Sequence, residues 1–91
     1  MWDHKYIVEV QLRRGGRFLP DGGAPKWMTL CDGMARMERC AAAWLGKWNA
    51  SAQRVRLRRS DGKVEAERDL AAIARQRRAA GAMTVQVQPR Q

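Results

Sequence analysis

The central segment, residues 32–49 (DGMARMERCAAAWLGKWN), places the strongest constraint on what this chain can fold into. Its large apolar side chains recur every three or four positions, which is the spacing of one face of an α-helix. Asp32 can cap the start of that helix, and Asn49 can end it. The apolar stripe predicts a helix that is buried against a sheet. It consists of Met34, Met37, Ala41, Trp44, Leu45 and Trp48, with Cys40 at its edge.

Two strands are predicted before this helix. In residues 5–13 (KYIVEVQLR) the side chains alternate between two faces, which is typical of a half-buried strand. One face carries Tyr6, Val8, Val10 and Leu12, and the other carries Ile7, Glu9, Gln11 and Arg13. Residues 26–31 (KWMTLC) predict a second, antiparallel strand, with Trp27 and Met28 on opposite faces. The intervening residues 14–25 contain four glycines and two prolines and predict a flexible loop.

A β-hairpin is predicted after the helix. Residues 53–59 and 63–68 alternate on either side of Asp61-Gly62, and an Asp-Gly pair between two such segments is a strong hairpin signal. A two-residue turn predicts a register in which unlike charges face each other on the solvent side. The predicted pairs are Arg58 with Glu65 and Arg56 with Glu67.

The C-terminal part predicts a second helix and a last strand. Asp69 can cap a helix over residues 70–80, and Gly81 can close it. Residues 83–89 (MTVQVQP) alternate and predict a terminal strand. The predicted order is therefore β-β-α-β-β-α-β, in one α+β domain spanning residues 1–91. We expect a mainly antiparallel sheet of four to five strands with two helices on one face, a variant of the ferredoxin-like arrangement.

The charge balance favours acidic partners. The chain has 18 Lys and Arg against 9 Asp and Glu, which gives a net charge of +9. Most of these cations are arginines, whose forked guanidinium groups suit phosphate and carboxylate contacts. A genomic composition bias that enriches arginine together with alanine is the competing explanation.

Residue types that carry catalysis are scarce. The only histidine, His4, lies near the N-terminus, so a nucleophile with a histidine base is not predicted. His4, Cys31 and Cys40 have no metal-ligand spacing, and the paired glycines of residues 15–23 form no phosphate-binding loop. We therefore expect no enzyme activity, no metal and no cofactor.

Two basic clusters are the candidate partner-binding residues. The first lies in the glycine-rich loop and the second lies along the predicted second helix, where no acidic residue follows Asp69. The competing interpretation is a solvated helix face and a mobile loop. The candidates are Arg13, Arg14, Arg17 and Lys26 in the first cluster and Arg68, Arg75, Arg77 and Arg78 in the second.

Two comparisons with known families follow from this organisation. RNA-recognition motifs share the ferredoxin-like order and stack bases on aromatic side chains of two central strands. Tyr6 would lie on one such strand, but residues 64–68 (VEAER) contain no aromatic residue, so the RNA site of that family is not predicted in this chain.

Residues 4–68 resemble small phage-encoded anti-CRISPR proteins in their organisation: HKYIVEV, a helix after WMTLC, and the hairpin VRLRRSDGKVEAE. The resemblance implies a stoichiometric inhibitor that binds a CRISPR surveillance complex or nuclease.

We therefore expect a small, basic, non-enzymatic binding protein of phage or mobile-element type. Its expected partner is a protein that handles nucleic acid, and direct nucleic-acid binding through the same arginines is the alternative. A homodimer formed through an exposed strand edge also stays open. Residues 1–5 (MWDHK) do not begin a signal peptide, and no segment is apolar enough to span a membrane. A cytoplasmic location with reduced cysteines is expected.

Overall fold

The fold is an α+β domain with one antiparallel sheet and two helices, as predicted. The computed structural model describes residues 4–47 and 52–87, with side chains described as far as Gly81. The strands lie in the order β2-β1-β3-β4, and every neighbouring pair is antiparallel. The elements are β1 (Tyr6–Gln11), β2 (Phe18–Pro20), α1 (Leu30–Leu45), β3 (Arg54–Arg59), β4 (Val64–Asp69) and α2 (Leu70–Val87).

The core lies between α1 and one face of the two central strands, β1 and β3. Met37 of α1 and Val55 and Leu57 of β3 are fully buried. α1 packs tightly on the sheet at Gly33, since a methyl group there would lie 2.7 Å from Leu57 Cδ1. The predicted apolar stripe of α1 is therefore confirmed as core; Trp48 and Asn49 lie outside the described residues.

The start of α1 differs from the prediction. Thr29 caps the helix, because its side-chain hydroxyl accepts a hydrogen bond from the Asp32 backbone N–H at 3.2 Å. Asp32 itself lies in the first turn, where a carboxylate is favoured by the positive end of the helix dipole. The helix ends at Leu45, and the N–H of the following Gly46 bonds back to the Ala42 carbonyl.

The predicted strand over residues 26–31 is wrong. Only Met28 pairs with β1, through two 2.8 Å hydrogen bonds between its backbone and that of Tyr6, and α1 begins two residues later. The second strand before α1 is instead β2, which lies within the predicted loop and pairs with β1. Met28 packs on the core while Trp27 is exposed, so their predicted opposite orientation is confirmed.

The β3–β4 hairpin has the predicted strands but a longer turn. Gly62 has a φ of +99°, its N–H bonds to the Arg59 carbonyl, and the Arg59 N–H bonds to the Lys63 carbonyl. The loop thus has three residues, and the ladder shifts register between Leu57 and Arg58, where Glu65 has no residue opposite it and forms a bulge. As a result Arg56 lies opposite Glu67 as predicted, but Arg58 lies opposite Val64 and not Glu65.

The second helix continues where a strand was predicted. α2 runs through Gly81 to Val87, so the element order is β-β-α-β-β-α and the predicted terminal strand is wrong. A single glycine costs a helix only about 1 kcal/mol, which continued backbone hydrogen bonding can offset. Within the ranges described, neither helix has the length and apolar character that crossing a bilayer requires.

Candidate functional site

The sheet face opposite the core carries an organised set of charged and aromatic side chains. We call this the outer face. It is formed by the side chains that alternate with the core residues, and neighbouring loop residues complete it. Its members include Glu9 of β1, Arg56 and Arg58 of β3, Phe18 of β2, and Trp27.

Glu9 is the centre of the outer face. Its side chain is only 8% exposed, yet it accepts hydrogen bonds from two arginines. Arg56 Nε lies 2.8 Å from Glu9 Oε1, and Arg58 donates from Nε and Nη2 at 3.1 Å each. Burial on its own raises the pKa of Glu9, but the hydrogen bonds and charges of Arg58 and Arg56 outweigh it, so the net pKa lies below the ordinary value. Glu9 is therefore ionised at neutral pH.

Each of these arginines also stacks on an aromatic ring. The Arg56 guanidinium carbon lies 3.8 Å from the centroid of the Phe18 ring, and that of Arg58 lies 5.8 Å from the Trp27 ring. These distances are typical of cation–π contacts. The two guanidinium groups are thus held between one carboxylate and two rings, while Trp27 is 45% exposed.

The outer face was not predicted as a candidate site. Glu9 was predicted on the face of the first strand where it lies, but Arg56 and Arg58 were predicted to pair with carboxylates of the neighbouring strand. In the structure Glu67 pairs with Arg54 at 3.0 Å, while Glu65 lies 4.0 Å from Lys63. The alternating arginines of β3 were the available signal, because three such side chains on one strand face need counter-charges.

Two predicted loop residues border an apolar groove at the sheet edge. Arg13 and Arg17 line this groove together with Leu12 and Leu19, and its volume is about 440 Å³. Both leucines are exposed, by 37% for Leu12 and 42% for Leu19. We call it the edge groove, and it combines apolar surface with two cations.

Two other predicted residues from different clusters meet in one cleft. Arg14 of the β1–β2 loop and Arg75 of α2 both line a cleft of about 210 Å³, together with Arg54 of β3. We call it the basic cleft. Neither Arg14 nor Arg75 forms an ion pair within the described part of the chain, whereas Arg54 pairs with Glu67. The fold therefore joins parts of the two predicted clusters.

The remaining predicted residues lie apart. Arg68 is bound to the Glu38 carboxylate and to the Glu67 backbone carbonyl. Lys26 lies beside α1, in a hollow it shares with Arg36 and Arg39. Arg77 is exposed on α2, and Arg78 borders a hollow that also contains Trp44 and Lys47.

Groups suited to redox or metal chemistry are separate from these surfaces. Cys31 is exposed and Cys40 is buried against the core. Burial, together with the charge and hydrogen bond of Asp21, raises the pKa of the Cys40 thiol to about 12. Over residues 4–47 and 52–87, no three histidine, cysteine, aspartate or glutamate side chains are grouped as metal ligands.

The geometry thus provides three surfaces: the outer face, the edge groove and the basic cleft. The first presents fixed arginines, the second presents leucines beside two arginines, and the third presents two arginines without carboxylate partners in the described chain. No protein-family model, curated protein or solved structure matches this chain.

Proposed function

We propose that this protein is a non-enzymatic binding protein that docks on another protein through the outer face. The observation that carries the proposal is the fixing of Arg56 and Arg58 between Glu9 and the rings of Phe18 and Trp27. Side chains held in this way lose little rotamer freedom on binding, which lowers the cost of association.

The residue types of the outer face fit a protein partner. Tryptophan and arginine are enriched among the residues that dominate binding energy at protein interfaces. Because Glu9 neutralises part of the charge of its two arginines, the outer face is less cationic than a phosphate-backbone site would be. Leu12 and Leu19 of the edge groove lie on the other side of the sheet, because Leu19 pairs with the core residue Val10, and they expose further apolar surface that a protein can bury.

The partner in this proposal is a protein that handles nucleic acid, and the chain acts as a stoichiometric inhibitor in the cytoplasm. The organisation of residues 4–68 supports a role similar to that of anti-CRISPR proteins of phages and mobile elements. The net charge of +9 then requires an acidic docking surface on the target complex.

A plasmid-interference assay tests this function. Cells carrying one of a panel of CRISPR systems would produce the wild-type protein, and survival of a targeted plasmid would report inhibition. Trp27→Ala should abolish inhibition, because it removes an exposed ring of the outer face. Leu30→Ala is the matched control, since Leu30 is exposed to a similar extent (42% against 45%) on α1 and should leave inhibition unchanged. Failure to inhibit any system, together with no complex with the purified effectors, would contradict the proposal.

Direct nucleic-acid binding is the second candidate function. It is favoured by α2, where Arg75, Arg77 and Arg78 are exposed and residues 70–87 contain no carboxylate side chain. Unpaired arginines of this kind bind a phosphate backbone with an affinity that falls steeply with salt. A mobility-shift series with single- and double-stranded DNA and RNA between about 50 and about 200 mM salt tests it. Absence of a shift at the lowest salt would exclude this function.

A further inference from the structure

We infer that the basic cleft is a binding site for a phosphate group. The cleft lies where the β1–β2 loop, the end of β1, the start of β3 and the first turns of α2 meet. Its volume is about 210 Å³. Its lining includes Arg14, Gly15, Arg54, Asp69 and Arg75.

The charges of the lining favour an anion. Three arginines line the cleft, and two of them, Arg14 and Arg75, have no carboxylate partner in the part of the chain described. The third, Arg54, binds Glu67 at the rim through Nη1 at 3.0 Å. Asp69 is the one carboxylate in the lining, and its Oδ1 accepts the Ala72 backbone N–H at 3.1 Å as the cap of α2. The net charge of the side chains that line the cleft is therefore positive.

The loop that carries Arg14 is held in place by hydrogen bonds. Gln11 Nε2 donates to the Gly16 carbonyl at 2.9 Å, and the Gly16 N–H donates to the Arg13 carbonyl at 2.9 Å. Gly15 has a φ of +74°, which closes the turn and is disfavoured for other residues. The backbone of Arg14 is thus fixed at one wall of the cleft while α2 fixes Arg75 at another.

Phosphate fits two such arginines better than a carboxylate does. A guanidinium group can donate two parallel hydrogen bonds to one phosphate, and a tetrahedral phosphate leaves further oxygens for a second arginine. A single carboxylate has only two oxygens and is satisfied by one bidentate arginine. The phosphate can belong to a small molecule or to a nucleic-acid strand. The basic cleft shares Phe18 with the outer face, but Arg14 and Arg75 lie outside the outer face, and they would supply a contact point for the nucleic-acid alternative.

A titration with matched variants tests the site. Inorganic phosphate, acetate and a short single-stranded oligonucleotide would be added separately at low salt, and binding followed by backbone amide chemical shifts. Arg14→Gln and Arg75→Gln should each weaken phosphate or oligonucleotide binding about tenfold or more, because each removes charge-assisted hydrogen bonds. Arg13→Gln and Arg77→Gln remove the same charge from the same loop and the same helix but do not line the cleft. They should change the affinity for inorganic phosphate by less than about twofold.

The outcomes separate the site from the functions proposed above. Selective loss of inorganic phosphate binding in the cleft variants supports the site even if the oligonucleotide does not bind, in which case the nucleic-acid function fails alone. Selective loss of oligonucleotide binding supports the site and identifies a strand as the source of the phosphate. Equal weakening of inorganic phosphate binding by all four variants, equal binding of acetate and phosphate, or no binding of phosphate and oligonucleotide would each overturn the inference.

Discussion

The carboxylate of Glu9 on β1 accepts two parallel hydrogen bonds from Arg58 on β3, each with a donor–acceptor distance of 3.1 Å. The contact is diagonal across the ladder, because Arg58 lies opposite Ile7 while Arg56 lies opposite Glu9. Arg56 adds a third hydrogen bond at 2.8 Å. One carboxylate therefore orients both arginines of the outer face, and it contributes to stability as well as to the proposed docking surface.

Replacing this carboxylate with its amide should destabilise the protein. Glu9→Gln keeps the size of the side chain but removes the negative charge that compensates Arg56 and Arg58. We expect the free energy of unfolding to fall by about 1–3 kcal/mol, which is below the full cost of breaking a buried pair because both arginines remain partly exposed. Urea unfolding at pH 7 followed by tryptophan fluorescence measures this loss.

Glu38→Gln is the matched control for that loss. Glu38 also pairs with an arginine, Arg68, but its side chain is about half exposed. Exposed ion pairs contribute about 0–1 kcal/mol, so this variant should unfold almost as the wild type does. Equal destabilisation by the two variants would show that Glu9 is no more important than a surface ion pair.

The same carboxylate should make stability depend on acid pH. The folded-state pKa of Glu9 lies below its ordinary value of 4.5, so its stabilising contribution is complete above that value. It is lost as the pH falls through the lower folded-state pKa, because protonation then removes the charge in the folded protein. The difference in unfolding free energy between wild type and Glu9→Gln should therefore be constant from pH 7 to about 5 and shrink below pH 4.5. A difference that stays constant down to pH 3 would contradict this assignment.

Local periodicity predicted the core but not the ends of several elements. The α1 stripe and the β1 alternation could be read from sequence because burial of Met37 and Val8 follows the helix and strand periods. The end of α2 could not be read in this way. Gly81 is a helix-ending residue in many proteins, and the alternation from residue 83 to residue 87 also fits a strand, yet the helix continues.

Long-range pairing explains why the outer face and the basic cleft were not predicted. Glu9 and Arg58 are 49 positions apart, and their contact exists because β3 lies next to β1 in the sheet. Element order alone did not determine that adjacency, and Glu67 offered a nearer partner for Arg56. Likewise Arg14 and Arg75 were both predicted as binding residues, but only the fold places them in one cleft.

The two cysteines should differ strongly in reactivity. The pKa of Cys40 is raised to about 12, so at neutral pH its thiolate, the reactive form, is almost absent, and the side chain is also buried. Cys31 is exposed at the start of α1. Alkylation at pH 7.5 followed by mass spectrometry should label one thiol in the native protein and both thiols in urea. Cys31→Ser should remove the native-state labelling, and rapid labelling of Cys40 in that variant would contradict the buried position.

Two glycine-to-alanine substitutions should change stability in opposite directions. At Gly33 a methyl group would lie 2.7 Å from Leu57 Cδ1 and 3.4 Å from Tyr6 Cβ. Leu57 is fully buried, so shifting its side chain disturbs its core neighbours, and overpacking should cost about 1–3 kcal/mol. The better helix propensity of alanine offsets up to about 1 kcal/mol of that cost, and Gly33→Ala should still lower the melting temperature.

Gly81→Ala isolates the propensity effect from the packing effect. Gly81 lies in α2, is exposed, and has no atom within 4 Å of an added methyl group. Alanine should therefore stabilise the helix there by about 0.5–1 kcal/mol, with no packing cost to oppose it. Thermal unfolding of the two variants side by side measures both effects. A rise in melting temperature for Gly33→Ala would show that α1 can move away from β3, and a fall for Gly81→Ala would show that α2 ends before residue 81 in solution.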